Sequence, residues 1–169
     1  MFMPENWLET LEMETRSKAQ KMIEQMTELG AAEPESWVRS EIEENIPQMA
    51  RFLILRRLQE EISTWRNNAP LWIENTILEA ERSPLTPFAE AGSALKRMIA
   101  LGVSANDLGN IAEMIAFESV FGAVNIIDEG CEHTVTNEDL PCWILTETNF
   151  EGKPTGRFIH DLHESLLDK

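Results

Sequence analysis

Five residues in the last third of the chain could by type do metal or nucleophilic chemistry: Cys131, His133, Cys142, His160 and His163. Zinc takes thiolate and imidazole ligands, and two histidines three apart would share one helix face, so His160 and His163 would present their rings together. The spacing is poor for such a site. Cys131-x-His133 is no established ligand knuckle, and seventeen residues with turn chemistry separate Cys142 from His160. Two ordinary cysteines and three surface histidines account for the same residues, so neither a metal site nor a cofactor is expected. Calcium fares no better. A twelve-residue loop from Asp128 to Asp139 would put His133 where glycine is required and Asp139 where the bidentate glutamate belongs.

Catalytic signatures are equally thin. A nucleophile built from Cys131 or Cys142 with His133 or His163 has no supporting motif, and Gly-x-Gly-x-x-Gly, the P-loop, Gly-x-Ser-x-Gly and His-Glu-x-x-His are absent. Glu118 with Asp128 or Glu129 could act as paired carboxylates only if they lined a cleft. No catalytic residue is assigned. Charge says more. From Met98 to Gly152 there is no lysine or arginine, yet the window holds Asp107, Glu113, Glu118, Asp128, Glu129, Glu132, Glu138, Asp139, Glu147 and Glu151. A negative field of this kind steers cationic partners inward. The surface expected to bind them comprises Glu118, Asn125, Asp128, Glu129, Glu132, Glu138 and Asp139. Trp143 serves as its aromatic anchor, or packs half-buried over the preceding helix. A formal charge of -16 excludes nucleic acid and anionic lipid as partners.

These residues need elements to position them. Pro4 to Gly30 reads as one helical segment, and Pro34 opens a second that Asn45-Ile46-Pro47 interrupts. A third runs over roughly 47–66 with Met49, Phe52, Leu55, Ile62 and Trp65 at spacings of three and four. A short helix lies around Leu71 to Leu78. Thr86 and Pro87 cap another that stops at Gly102. Ser104 with Asp107 forms an acidic capping box for a helix reaching about Asp128. Its acids gather in one imperfect stripe, and Leu108, Ala112, Ile115, Ala116, Val120, Val124 and Ile127 cover much of the rest, the pattern of a helix inside a bundle. Trp143 to Thr148 has strand propensity and Glu151 to Gly156 is turn chemistry, giving a small hairpin before a final helix through Leu162, Leu166 and Leu167.

The fold class expected is mainly α: about six helices around a central apolar helix at 104–128, with a small C-terminal β-hairpin. At 169 residues this suits a single domain, residues 1–130 forming the helical core and 131–169 the acidic loop, hairpin and last helix. Two cysteines make no disulfide framework, the N-terminus lacks a secretory pattern, and no run approaches the ~20 apolar residues of a membrane span. The expectation is a reduced, cytoplasmic protein.

Ile126-Ile127-Asp128-Glu129-Gly130, Pro154-Thr155-Gly156-Arg157 and Leu162-His163-Glu164 resemble a small family of bacterial proteins of unknown function over the last ~70 residues. That resemblance implies no activity. In size and charge the chain is also similar to bacterial immunity proteins that neutralise basic toxins. The leading functional expectation is therefore a non-enzymatic interaction protein, immunity-like or regulatory, that meets a basic protein surface. One alternative is a metal-dependent or hydrolytic enzyme using the cysteines, histidines and nearby acids. The other is a helical homo-oligomer, as a dimer, in which the apolar surplus of residues 111–127 meets a second copy.

Overall fold

Helix punctuation in the sequence becomes eight helices and one antiparallel hairpin in the computed structural model, which describes residues 6–131 and 140–167. In order these are α1 (Trp7–Thr10), α2 (Met13–Glu28), α3 (Pro34–Glu44), α4 (Gln48–Asn67), α5 (Ala69–Arg82), α6 (Ala89–Ala100), α7 (Ala105–Glu129), β1 (Leu145–Thr148), β2 (Pro154–Ile159) and α8 (Leu162–Ser165). The fold class is the mainly helical bundle with a C-terminal hairpin that the sequence implies. Two compact units make up the chain: Met1–Arg56 with Asn125–Lys169, and Arg57–Val124.

In the first unit, the segment expected as one helix from Pro4 to Gly30 breaks at Leu11, whose backbone is extended. Arg16 mends the break by donating to the carbonyls of Glu9 and Leu11, at 2.7 and 3.0 Å. Such side-chain capping removes the penalty of orphan helix-end carbonyls. Gly30 adopts φ +88°, and the amide of Ala31 donates back to Met26 at 2.9 Å, closing α2 with the left-handed turn that glycine permits. Trp7, Ala19, Met22, Met26 and Val38 form the buried core here. Trp37 meets Phe52 edge-on at 6.0 Å between ring centroids. Asn45 takes a left-handed conformation at the end of α3, and the buried Glu41 accepts the Met49 amide at 2.8 Å, capping α4 from the preceding helix.

The hairpin pairs Leu145 with Ile159, Thr146 with Phe158 and Thr148 with Pro154, with an irregularity between Thr146 and Thr148. Asn149 builds its turn: the side-chain carbonyl accepts amides from Glu151 and Lys153, each at 3.0 Å. Ile159, Leu162 and Leu166 are buried beneath.

Unit two is organised by small residues that let helices approach closely. A Cβ on Gly92 of α6 would lie 2.4 Å from the Ala80 Cβ and 2.6 Å from the Thr76 carbonyl oxygen of α5. One on Gly109 would lie 2.8 Å from the Ala69 Cβ. Ala69, Ile73 and Leu108 are buried around these approaches. Ser104 and Asp107 form the expected acidic capping box: the Ser104 hydroxyl accepts the Asp107 amide at 3.1 Å and donates to its carboxylate at 2.7 Å. Thr86 behaves differently from expectation. It donates to the Ser83 carbonyl within a turn, and α6 starts instead after Phe88, which has φ 70°.

The largest difference concerns α7. The helix forms over the expected residues, but only Leu108, Gly109 and Val124 are buried along it. Ile111, Met114, Ile115, Ile126 and Ile127 are exposed, four of them by more than half. All-round apolarity identifies a helix that wants covering, and cannot say whether its own chain covers it. Among the described residues α7 is also the one helix long and apolar enough to cross a membrane, with mean hydropathy 1.3 over eighteen residues. The sequence reading finds no such run because Glu113 and Glu118 interrupt it.

Candidate functional site

The C-terminal end of α7 carries the residues singled out by charge, and each has a distinct fate. Glu129 is exposed and accepts the Asn125 side-chain amide at 2.9 Å, one helical turn away. Asp128 points inward, its side chain only 5% exposed. One carboxylate oxygen accepts the His163 amide at 2.9 Å and lies 2.8 Å from the His163 Nδ1. Asp161 places no side-chain cap on α8, so Asp128 stands in as its cap from another helix. Asp128 thus leaves the expected partner surface. Its second carboxylate oxygen is buried without a hydrogen-bond partner. Glu118 is exposed on α7 within the second unit. Glu132, Glu138, Asp139 and His133 lie outside the described residues.

Trp143 is fixed at both ends. Its amide donates to the Gly130 carbonyl and its indole N–H donates to the Ile126 carbonyl at 3.1 Å. The residue remains 42% exposed beside Ile144 and the C-terminal turn of α7. Carbonyls at a helix end lack internal partners, so the indole satisfies one of them while lying over the helix. Gly130 matters to this seat, because its φ of +71° favours glycine and an added Cβ would sit 3.0 Å from the Trp143 carbonyl oxygen. Trp143 is thus half-buried over the preceding helix, as one of the two expectations has it, and part of it remains exposed.

Cys131 and Cys142 are joined as a disulfide, with Cα atoms 4.5 Å apart, and no free cysteine remains. This corrects the expectation of two reduced thiols. Two cysteines make no disulfide framework, but the hydrogen bond from the Trp143 amide to the Gly130 carbonyl brings this one pair together. A disulfide sulfur offers neither a thiolate nucleophile nor a zinc ligand. His160 and His163 do not share a helix face, because Asp161 has φ 56° and α8 begins only at Leu162. His160 lies edge-on to Phe158 at 6.3 Å instead. Among the described residues no group of three or more His, Cys, Asp or Glu side chains is placed to hold a metal ion.

A charged cluster the sequence does not reveal lies in the same unit. Arg157 of β2 donates to Glu41 of α3 at 2.8 Å and to both carboxylate oxygens of Glu147 on β1. Glu41 is 3% exposed and Glu147 14% exposed as side chains. Burial would raise the Glu147 carboxyl, but hydrogen bonds from Arg157 and Thr155 and the charges of Arg157 and Lys18 outweigh it and hold it below 4.5. Burial likewise works against the Arg157 charge, and its two carboxylate partners push its pKa upward. A lowered carboxylate stabilises the fold above its ordinary range, and that stability is lost as pH falls through the folded value. Glu147→Gln should therefore cost about 1 kcal/mol at pH 7, with little difference from the parent below the folded Glu147 value. Thermal unfolding across that pH range checks this, and a gap that widened on acidification would contradict it.

Cysteine pairing is the signal that spacing could have offered. Glu41 and Arg157 are 116 residues apart, and nothing in either local pattern links them. Set against known proteins, the chain matches no family model, no curated protein and no solved structure, so the likeness of its three short motifs to a bacterial family rests on those residues alone.

Proposed function

We propose that this chain is a non-enzymatic interaction protein, immunity-like or regulatory, that docks a basic protein surface on Trp143 and the end of α7. The observation that carries the reading is the seat of Trp143. Its indole is held by the Ile126 carbonyl while the residue stays 42% exposed, next to exposed Ile144 and Ile126, with Glu129 on the same helix turn. A rigid aromatic loses little entropy on binding, and such residues dominate interface energies. The surrounding stretch, Met98 to Gly152, contains no lysine or arginine to oppose a cationic partner. Glu118 adds charge farther along α7, and Glu132, Glu138 and Asp139 lie in sequence between the two disulfide-bonded cysteines. The reading needs no cofactor, zinc included, and excludes nucleic acid and membrane as partners. The cytoplasmic setting expected from sequence goes with reduced cysteines, whereas the closed disulfide goes with an oxidising compartment.

Affinity capture from the protein's own cells at roughly 50 mM salt tests the proposal, with parent, Trp143→Ala and Glu129→Lys chains as baits. A basic protein held by the parent, released by roughly 300 mM salt and lost by at least about tenfold with each variant is the expected result. Capture that is indifferent to both substitutions overturns it.

A further inference from the structure

We propose that the Cys131–Cys142 disulfide is a redox switch for the Trp143 seat: a dithiol reductant opens it, frees the indole from α7 and ends docking of a basic surface. The docking part rests on the function proposed for Trp143, whereas release of the indole stands without it.

The bond lies where a reductant can reach it. Cys142 is exposed and Cys131 partly buried, so an incoming thiolate meets the Cys142 sulfur first. Attack there forms a mixed disulfide and expels the Cys131 sulfur as thiolate. The reductant's second thiol then attacks the mixed disulfide and expels Cys142. Two electrons and two protons pass to the cysteines, which end as thiols, and the reductant leaves as its own disulfide. Exposed disulfides are the labile and regulatory ones. Neither cysteine belongs to the buried core of this unit, which is built from Trp7, Ala19, Met22, Met26 and Val38.

What the bond holds is local. Upstream, Asp128 is fixed to His163 at the start of α8. Downstream, strand pairing begins at Leu145, and Arg157 ties β2 to Glu41 of α3. Between these anchors the seat of Trp143 consists, among the described residues, of two hydrogen bonds, from its amide to Gly130 and from its indole to Ile126. Cys131 directly follows Gly130 and Cys142 directly precedes Trp143, so the disulfide adjoins both partners of the amide bond.

Magnitudes decide which of these ties matters most. The indole bond is exposed, and water competes for both its ends. A hydrogen bond of that kind favours the closed form by only about threefold to tenfold. Linking cysteines separated by 11 positions favours closed ends by roughly a hundredfold. With the covalent link cut, Trp143 exchanges between its seat and solvent, and a preorganised anchor becomes one that must be ordered on binding. The anchors at Asp128 and Arg157 remain, so the helices and the hairpin survive.

The other tryptophans act as internal controls. The Trp7 indole donates to Glu43, the Trp72 indole donates to the Trp65 carbonyl, and Trp37 packs on Phe52. None of these contacts involves the segment from Ile126 to Leu145.

Solution NMR of the indole N–H signals reads the switch, on the full chain oxidised and then in roughly 10 mM dithiothreitol. Alkylation and mass spectrometry should count two new thiols, with circular dichroism unchanged. The Trp143 signal should move on reduction while those of Trp7, Trp37, Trp65 and Trp72 stay. A synthetic amphipathic lysine–leucine peptide should bind the reduced chain at least about tenfold more weakly than the oxidised one. Cys131→Ser combined with Cys142→Ser should behave as the reduced chain even in oxidised glutathione, which should return the reduced parent to its first state. A Trp143 signal indifferent to reduction, a disulfide that opens only when all five indole signals collapse together, or a peptide held equally tightly in both states would each overturn the proposal. If the oxidised chain ignores the peptide while Trp143 still moves on reduction, the docking reading fails and the switch at the seat stands.

Discussion

Replacing Arg157 by alanine is expected to destabilise the fold by about 3 kcal/mol, the lower end of what removing one member of a buried ion pair costs. The reason lies with the partner left behind. Glu41 is 3% exposed, and one of its oxygens is already committed to the Met49 amide. Without Arg157 the other oxygen loses its charged partner while the Glu41 side chain stays buried. The bridge from Arg157 to Glu147 that joins β2 to β1 would be lost together with the Arg157–Glu41 pair that ties the hairpin to α3. Urea denaturation of Arg157→Ala measures the loss. Adding Glu41→Gln, which keeps an acceptor for Met49 and removes the stranded charge, should recover at least about 1 kcal/mol. A single-variant loss below about 0.5 kcal/mol would mean the cluster behaves as a solvated surface pair.

Gly92→Val should be about as damaging, at roughly 2 to 3 kcal/mol, by forcing α5 and α6 apart. Even alanine would place its Cβ 2.6 Å from the Thr76 carbonyl oxygen, and that oxygen belongs to a helix backbone that cannot swing aside. Valine adds two methyl groups to the same collision. Helix propensity would favour either substitution over glycine, so the sign of the effect separates packing from propensity. Thermal unfolding of Gly92→Ala and Gly92→Val decides it: stability at or above the parent would show that the two helices pack less closely than described.

The helical frame was legible because local chemistry writes it. Pro34 starts a helix, Gly30 ends one, and Ser104 with Asp107 caps α7 through the hydrogen bonds their spacing implies. The hairpin was legible from the β-prone residues Trp143 to Thr148, but its turn closes earlier, around Asn149, and Pro154 to Gly156, read as turn, begin β2. What depends on distant partners was not. Asp128 belongs to the same acidic stripe as Glu129, yet it turns inward because His163, thirty-five residues away, folds over it. The exposure of Ile115 and Ile126 had the same cause, since periodicity reports that a helix is apolar and says nothing of what lies beside it. The break at Leu11 escaped notice because Arg16 compensates for it from within the following helix.

The central claim, that Trp143 anchors a basic partner at the acidic end of α7, is tested most directly by the indole N–H signals of Trp7, Trp37, Trp65, Trp72 and Trp143 in solution NMR. The chain would be titrated with a synthetic amphipathic lysine–leucine peptide and, as control, a glutamate–leucine peptide of the same length. The account expects the Trp143 signal to move most with the lysine peptide, less as salt is raised, and hardly at all in Glu129→Lys. A Trp143 signal that stays in place, or moves equally with both peptides, would contradict it.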